Sequence, residues 1–244
     1  KGELDDSLAD INAVADLFAT FDIPDFVRET EFVSLKSEVE YPFIGRQLVS
    51  SDGVQLGAGE YLAMTNEYVV EDSTSKWCRL SRESFAVGAL ARFNNNAALL
   101  VPEAAEMANR LGLTAVCHNP FMNNVAQLVE CVQVTHQAMA LVDELLDSEG
   151  EDVRVPVVAR AGEGVGVVEV PRGILYHHYE YDDKGYIKRA NCIIPTTQNN
   201  ANIHHDLGAL AQQFAIEGMT DEKLELLCSM LVRAYDPCIS CSVH

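Results

Sequence analysis

The amino-acid sequence predicts an α+β fold, mainly helical, with a small β-hairpin insert near residues 163–195. Three observations carry that expectation. Leu4, Leu8, Ile11, Ala15 and Phe18 recur at helical spacing. Val125, Leu128, Val129, Val132, Val134, Met139, Leu141 and Leu146 do the same across Asn124–Leu146, a run of about six turns. Between these helical runs and the C-terminus the pattern changes to β-branched and aromatic residues in Val165–Glu169, Ile174–Tyr181 and Tyr186–Ile194, with turn chemistry at Asp182-Asp183-Lys184-Gly185.

In chain order, the first amphipathic helix should end near Asp22. Phe32–Leu35 and Tyr61–Val70 read as short strands, with Ser51-Asp52-Gly53 as a turn between them. Pro102, followed by Glu103, Ala104, Ala105 and Met107, opens a helix that should stop at Gly112. The helix over Asn124–Leu146 gives way to an acidic loop, Ser148–Asp152. After the β-rich runs, the stretch Asn191–Asn199 reads as a strand that breaks at Pro195 into a polar turn. Helices over about Leu207–Ile216 and Asp221–Ala234 complete the chain, with Thr220 as an N-cap and Lys223 where a capping box would carry Glu. Internal repeats and low-complexity linkers are not evident. The organisation is therefore residues 1–160, mainly helical; 161–198, β-rich; and 199–244, helices leading to a cysteine motif.

The composition limits the partners. The 244 residues are 48% apolar, enough for a sizeable core, and 37 carboxylates against 17 Lys and Arg give a formal charge of −20. Such a surface repels phosphate, which argues against nucleic acid and anionic membranes. No stretch approaches the roughly 20 apolar residues of a transmembrane segment, and the acidic start, Lys1–Asp10, does not resemble a secretory signal. A cytoplasmic location is the expectation. Seven cysteines, at 78, 117, 131, 192, 228, 238 and 241, are too sparse for a disulfide framework. Cys131 and Cys228 fall in helical patterns and read as buried small hydrophobes.

Three constellations can carry chemistry. The first is Asp236-Pro237-Cys238-Ile239-Ser240-Cys241-Ser242-Val243-His244. Two cysteines at this spacing can place both sulfurs on one metal, with His244 joining them or serving a neighbouring ion. Half a zinc site or two free thiols are the plainer alternatives, and a thioredoxin-like role is disfavoured because that motif opens a helix. The second is Glu169-Val170-Pro171-Arg172-Gly173, where proline stiffens the backbone and a guanidinium projects five donors. A turn arginine paired with a surface carboxylate is its ordinary reading. The third is Cys192-Ile193-Ile194-Pro195-Thr196-Thr197-Gln198-Asn199, which alone marks a strand end. His204-His205 reads as polarity at the start of a helix, and Trp77 and Cys78 have no context that argues for function.

Together and in this order, Glu-x-Pro-Arg-Gly, Cys-Ile-Ile-Pro-Thr-Thr-Gln-Asn and Asp-Pro-Cys-x-x-Cys-x-x-His resemble the large subunit of nickel–iron hydrogenases. The terminal motif is most similar to that of the cytoplasmic, multimeric group that exchanges electrons with nicotinamide or deazaflavin cofactors. The resemblance implies a hydrogenase large-subunit-like helical core and a nickel–iron centre with two cyanides and one carbon monoxide on iron, Ni-Fe(CN)2CO. Cys238 would be a terminal nickel thiolate and Cys241 a bridge between nickel and iron. Arg172 would donate to one cyanide and Thr196 to the other. Pro171, Leu175, Ile194 and Pro195 would wall the carbon monoxide. Asp236 would orient Arg172. His244 and the Cys192 carbonyl would hold a magnesium-type ion (Mg). The family's precursors are trimmed just beyond that histidine.

The resemblance also implies heterolytic cleavage of dihydrogen to protons and electrons, with Cys238 favoured over the Arg172–Asp236 pair as proton acceptor because a guanidine is a poor base. The other two metal thiolates would come from an N-terminal half or a separate chain bearing the second cysteine pair, so this chain alone should be inactive. Electrons would leave through an iron–sulfur small subunit to an NAD(P)- or deazaflavin-linked electron-transfer module. Two rival readings stand beside this one. One is a non-catalytic relative of the kind found in respiratory complex I, against which the intact Cys238 and Cys241 argue. The other is an interaction module holding structural zinc.

Overall fold

A computed structural model of the chain describes residues 1–148, 154–216 and 218–242. The first part runs α1 (Gly2–Phe18), β1 (Glu31–Lys36), β2 (Gln47–Ser50), β3 (Gln55–Gly57), α2 (Tyr61–Thr65), β4 (Phe85–Ala86), α3 (Ala89–Asn96), α4 (Pro102–Arg110) and α5 (Asn123–Asp147). The second runs β5 (Gly162–Val170), β6 (Gly173–Tyr181), β7 (Ile187–Ile193), α6 (Pro195–Ile216), α7 (Asp221–Tyr235) and α8 (Ile239–Ser242). The expected acidic loop lies, beyond Ser148, outside the described residues. No helix among those residues is long and apolar enough to cross a membrane.

The helices form where the sequence supplies both an apolar stripe and suitable ends. α4 has Pro102 at its start, Glu103 in the first turn and Arg110 in the last, each matched to the helix dipole. α7 likewise carries Asp221 and Glu222 first and Arg233 last. Thr220 occupies the N-cap of α7 as expected, but its side chain makes no capping bond. The buried faces meet in one core that includes Ala15, Phe93, Met107, Val125, Val129, Leu210 and Leu231.

A second core lies between two sheets. One has the order β3-β2-β1-β4, antiparallel except for the parallel β1–β4 pair, and the other is the antiparallel meander β5-β6-β7. Val33, Leu35 and Leu48 face Val167, Ile174, Tyr176 and Ile193. Each fully buried aliphatic side chain of this kind stabilises the fold by about 1.5–3 kcal/mol. The Glu169 N–H donates to the Phe43 carbonyl at 2.7 Å and Ile44 bridges Val168, which ties the β1–β2 connection to β5.

Several expectations are corrected. α1 stops at Phe18, short of Asp22. Tyr61–Thr65 is a helical turn and not a strand, because its buried residues Tyr61, Met64 and Thr65 fall at helical spacing; Asn66 closes it in the left-handed region, φ 38°. Pro195–Asn199 is the opening of α6 and not a polar turn. Proline is preset for a first turn, and the polar side chains that follow are buried and bonded inward rather than solvated. His204 and His205 consequently lie within α6, their rings 5.0 and 6.4 Å from that of Trp77. The insert is a three-stranded meander rather than a hairpin, and the region before it contains a four-stranded sheet. Cys131 is exposed and Cys228 only half-buried, since each sits at the edge of its helix's apolar stripe.

Candidate metal centre

The site is assembled by the turn between β5 and β6, the first turns of α6 and the segment after α7. Gly173 follows Arg172 with φ 134°, and a Cβ there would lie 2.2 Å from Val87 Cγ2. Only glycine lets the turn pack this closely. The turn projects Arg172 toward the C-terminal segment, where its Nη2 meets Asp236 Oδ2 at 2.8 Å and its Nε–H donates to the Asp236 carbonyl. Asp236 caps α7 in the left-handed region, φ 48°, which Asp tolerates better than most residues. That reversal sends the chain back across α6.

Beyond it, the Cys238 N–H donates to Thr196 Oγ1 at 3.1 Å, and the Cys241 N–H donates to the Cys238 carbonyl at 3.2 Å. The structure joins Cys238 and Cys241 as a disulfide, with a Cα–Cα distance of 5.3 Å. The two cysteines therefore flank the start of α8 with their side chains on one side, and only once reduced to thiolates is the pair free to share an ion. Arg172, Asp236, Thr196, Cys238 and Cys241 are thus linked through a chain of pairwise contacts.

The other expected residues are placed less directly. Pro195 is buried, Leu175 and Ile194 are half-buried, and Pro171 is exposed. Cys192 pairs with His177 in the β6–β7 ladder, its sulfur 3.5 Å from His177 Nδ1 and 3.6 Å from the Tyr179 hydroxyl. His244 lies outside the described residues. Among the described residues no group of three or more His, Cys, Asp and Glu side chains is gathered to hold a metal. The donor set therefore fits half of a soft, thiolate-held centre, with a cationic and a hydroxyl donor beside it.

The structure adds a buried polar support that the sequence did not reveal. Thr197, Gln198, Asn199, Asn202 and Asp206 of α6 are all buried. Gln198 Nε2 donates to the Ile174 carbonyl at 2.6 Å; Asn199 Oδ1 accepts from the Val87 N–H at 2.9 Å. Asn202 Nδ2 donates to the Tyr235 hydroxyl at 2.6 Å, and that hydroxyl donates to Asp206, which also pairs with Arg28. Burial raises the Asp206 pKa against the pull of Arg28, and drives Tyr235 well above the usual phenol range.

On the other side, Arg92 of α3 is wholly buried between Glu130 and Glu169, at 2.6 and 2.9 Å. Burial raises the Glu169 pKa, with Arg92 opposing. One signal was available in the sequence: a charge inside the apolar run Ala89–Phe93.

The alpha chain of sulfhydrogenase 1 from Pyrococcus furiosus is 37% identical over 206 residues, 84% of this chain and 47% of that protein. The beta chain of the NAD-reducing hydrogenase HoxS from Cupriavidus necator is 33% identical over 195 residues, 76% of this chain and 40% of that protein. An NAD+-reducing nickel–iron hydrogenase, solved in its H2-reduced state, superposes with a TM-score of 0.77 at 28% identity, over 99% of this chain and 56% of that one. The chain thus spans about half the length of the relatives it matches. The family model described as nickel-dependent hydrogenase matches residues 47–244, and the chain belongs to that family.

Proposed function

We propose that this chain is the portion of a nickel–iron hydrogenase catalytic subunit that carries two of its metal thiolates and the arginine beside them. One observation carries the reading: Arg172 from the β5–β6 turn pairs with Asp236, and Cys238, two residues further on and joined to Cys241, donates its N–H to Thr196 on the first turn of α6. A bound nickel–iron centre supplies the polarisation that splits dihydrogen heterolytically. The chain's own residues divide the remaining tasks. Cys238 and Cys241, as thiolates, hold the metals, and the remaining thiolate pair comes from an N-terminal half or a separate chain. Arg172 and the Thr196 hydroxyl would offer donors to the cyanides of such a centre, and Pro171, Leu175, Ile194 and Pro195 would form the apolar wall. Asp236 holds the guanidinium through both its carboxylate and its carbonyl, so that two donors are fixed at once. Cys238 Sγ takes the proton.

The same reading gives His244 and the Cys192 carbonyl to a magnesium-type ion. It places the assembly in the cytoplasm, with an iron–sulfur small subunit plus a nicotinamide- or deazaflavin-linked module. The support for the nicotinamide arm is the naming of one relative as NAD-reducing; another, from Methanothermobacter marburgensis, is named F420-non-reducing and lends the deazaflavin arm no support.

Elemental analysis and infrared spectroscopy of the complex containing this chain test the proposal. Nickel and non-cluster iron in equal amounts, with carbonyl and cyanide bands, are expected. Cys238→Ser should abolish nickel binding and turnover, while Arg172→Lys should keep both metals and lose most turnover. Zinc alone, without such bands, would reduce the chain to a structural module.

A further inference from the structure

Three consecutive carbonyls in the turn that presents Arg172 are each taken by a side-chain donor from beneath. Arg92 Nη1 donates to the Val170 carbonyl at 2.9 Å, Arg92 Nη2 to the Pro171 carbonyl at 3.2 Å, and Asn199 Nδ2 to the Arg172 carbonyl at 3.3 Å. Arg92 is itself immobilised. Its Nε and Nη2 engage the two oxygens of Glu130, both at 2.6 Å, and its Nη1 engages Glu169 at 2.9 Å. The Tyr41 hydroxyl donates to Glu130 at 2.8 Å and the Leu35 N–H to Glu169 at 2.8 Å.

This cluster holds one cation against two carboxylates, all of them buried. Such a cluster is a poor way to gain stability, since apolar residues of equal volume often do as well or better. It does give geometry. A planar guanidinium reaches two carboxylates and two carbonyls at once, which a lysine ammonium cannot do.

We propose that Arg92 is a positioning residue for Arg172: it locks the backbone of the Pro171–Arg172 turn from the core side, and so fixes where the exposed guanidinium of Arg172 points. The proposal rests on the role given to Arg172 above. The hydrogen bonds of Arg92 go to Glu130, Glu169 and the turn's carbonyls, so its effect on Arg172 passes through the main chain.

The test uses the complete hydrogenase complex carrying Arg92→Lys, Arg172→Lys and the double change. Arg92→Lys should retain nickel, iron and the full set of partner chains. It should lower kcat about ten- to a hundredfold, the loss that a displacement of about 1 Å produces. A cyanide stretch should shift in the same direction as in Arg172→Lys. The double variant should lose no more than Arg172→Lys alone. Losses that multiply, or an Arg92→Lys enzyme with unchanged kcat and bands, would overturn the proposal. An Arg172→Lys enzyme at the unmodified rate would instead remove the role of Arg172, and the positioning proposal with it. If Arg92→Lys does not assemble, Asn199→Asp serves in its place. It keeps the acceptor for the Val87 N–H and withdraws the donor from the Arg172 carbonyl. The same cyanide shift supports the proposal, and unaltered bands and kcat refute it.

Discussion

Replacing Gly173 by alanine tests how tightly the arginine turn is seated. Two costs add. The residue sits at φ 134°, where holding a side-chain-bearing residue costs about 1–3 kcal/mol. The new Cβ would lie 2.2 Å from Val87 Cγ2, 2.7 Å from Val87 Cβ and 3.1 Å from the Gly88 nitrogen. Val87 is 4% exposed and packed in the inter-sheet core, and a β-branched side chain has little rotameric escape. Forcing a methyl into such a place costs about 1–3 kcal/mol more. The sum is about 2–6 kcal/mol, centred near 4, with the strain and the overlap contributing similarly. For a complete subunit about twice this chain's length, the conversion is about 1–2 °C per kcal/mol, and the midpoint value is a fall in Tm of about 4–8 °C.

The assay is scanning calorimetry of the complete catalytic subunit, with Gly164→Ala as the control. A Cβ at Gly164 meets nothing within 4 Å, so its Tm should stay within about 1 °C. Repeating Gly173→Ala in a Val87→Ala background removes the contact with Cγ2 but leaves Val87 Cβ at 2.7 Å, so the effect, measured against Val87→Ala alone, should shrink without reaching the strain-only value. A Gly173→Ala subunit that melts with the unmodified protein would show that the turn is not held against Val87, and the account of how Arg172 is aimed would fail with it.

Other outcomes follow from the same structure. Tyr235→Phe deletes the hydroxyl between Asn202 and Asp206 and should cost about 1–3 kcal/mol, read as a lower urea midpoint with the slope unchanged; an unmoved midpoint would show that the hydroxyl adds nothing. Burial lowers the His118 pKa, and its Nδ1 accepts from the Thr30 N–H at 3.1 Å, so the fold prefers the neutral ring. The unfolded chain then takes up a proton more readily than the folded one below about pH 6.5, and stability contributed at higher pH is lost as the pH falls through that value. Urea midpoints measured between about pH 7.5 and 5 should fall less steeply in His118→Gln than in the unmodified subunit. Identical slopes would rule out His118 as the source.

The elements that were legible in the sequence are those whose signals are local. The helix over Asn123–Asp147 and the strands of the meander follow their own periodicities. Arg172, Asp236, Cys238 and Cys241 stand in short motifs that can be read without knowing what surrounds them. What remained hidden depends on distant partners. Arg92 finds Glu130 and Glu169 at separations of 38 and 77 residues, and nothing near it in the chain forecasts that pairing. The short helix at Tyr61–Thr65 resembled a strand because a five-residue stretch samples either period poorly. Thr196–Asn199 looked like a solvated turn because polarity alone cannot distinguish side chains bonded to water from side chains bonded to buried backbone.

α6 enters the fold polar end first, and its opening turns have partners on several sides at once. Thr196 holds the C-terminal segment, Gln198 the β6 backbone, Asn199 both β4's flank and the arginine turn, and Asn202 the end of α7. It works like the keystone of an arch, with each adjoining block bearing on the same piece. A single residue inserted or deleted at the β7–α6 junction would rotate those side chains by about 100° and shift them by about 1.5 Å, breaking every contact together. Variation in length is therefore barred from this junction and pushed to places such as the β6–β7 turn at Asp182–Gly185. Gradual movement within the candidate site is barred too: its parts stay in register or separate as a group.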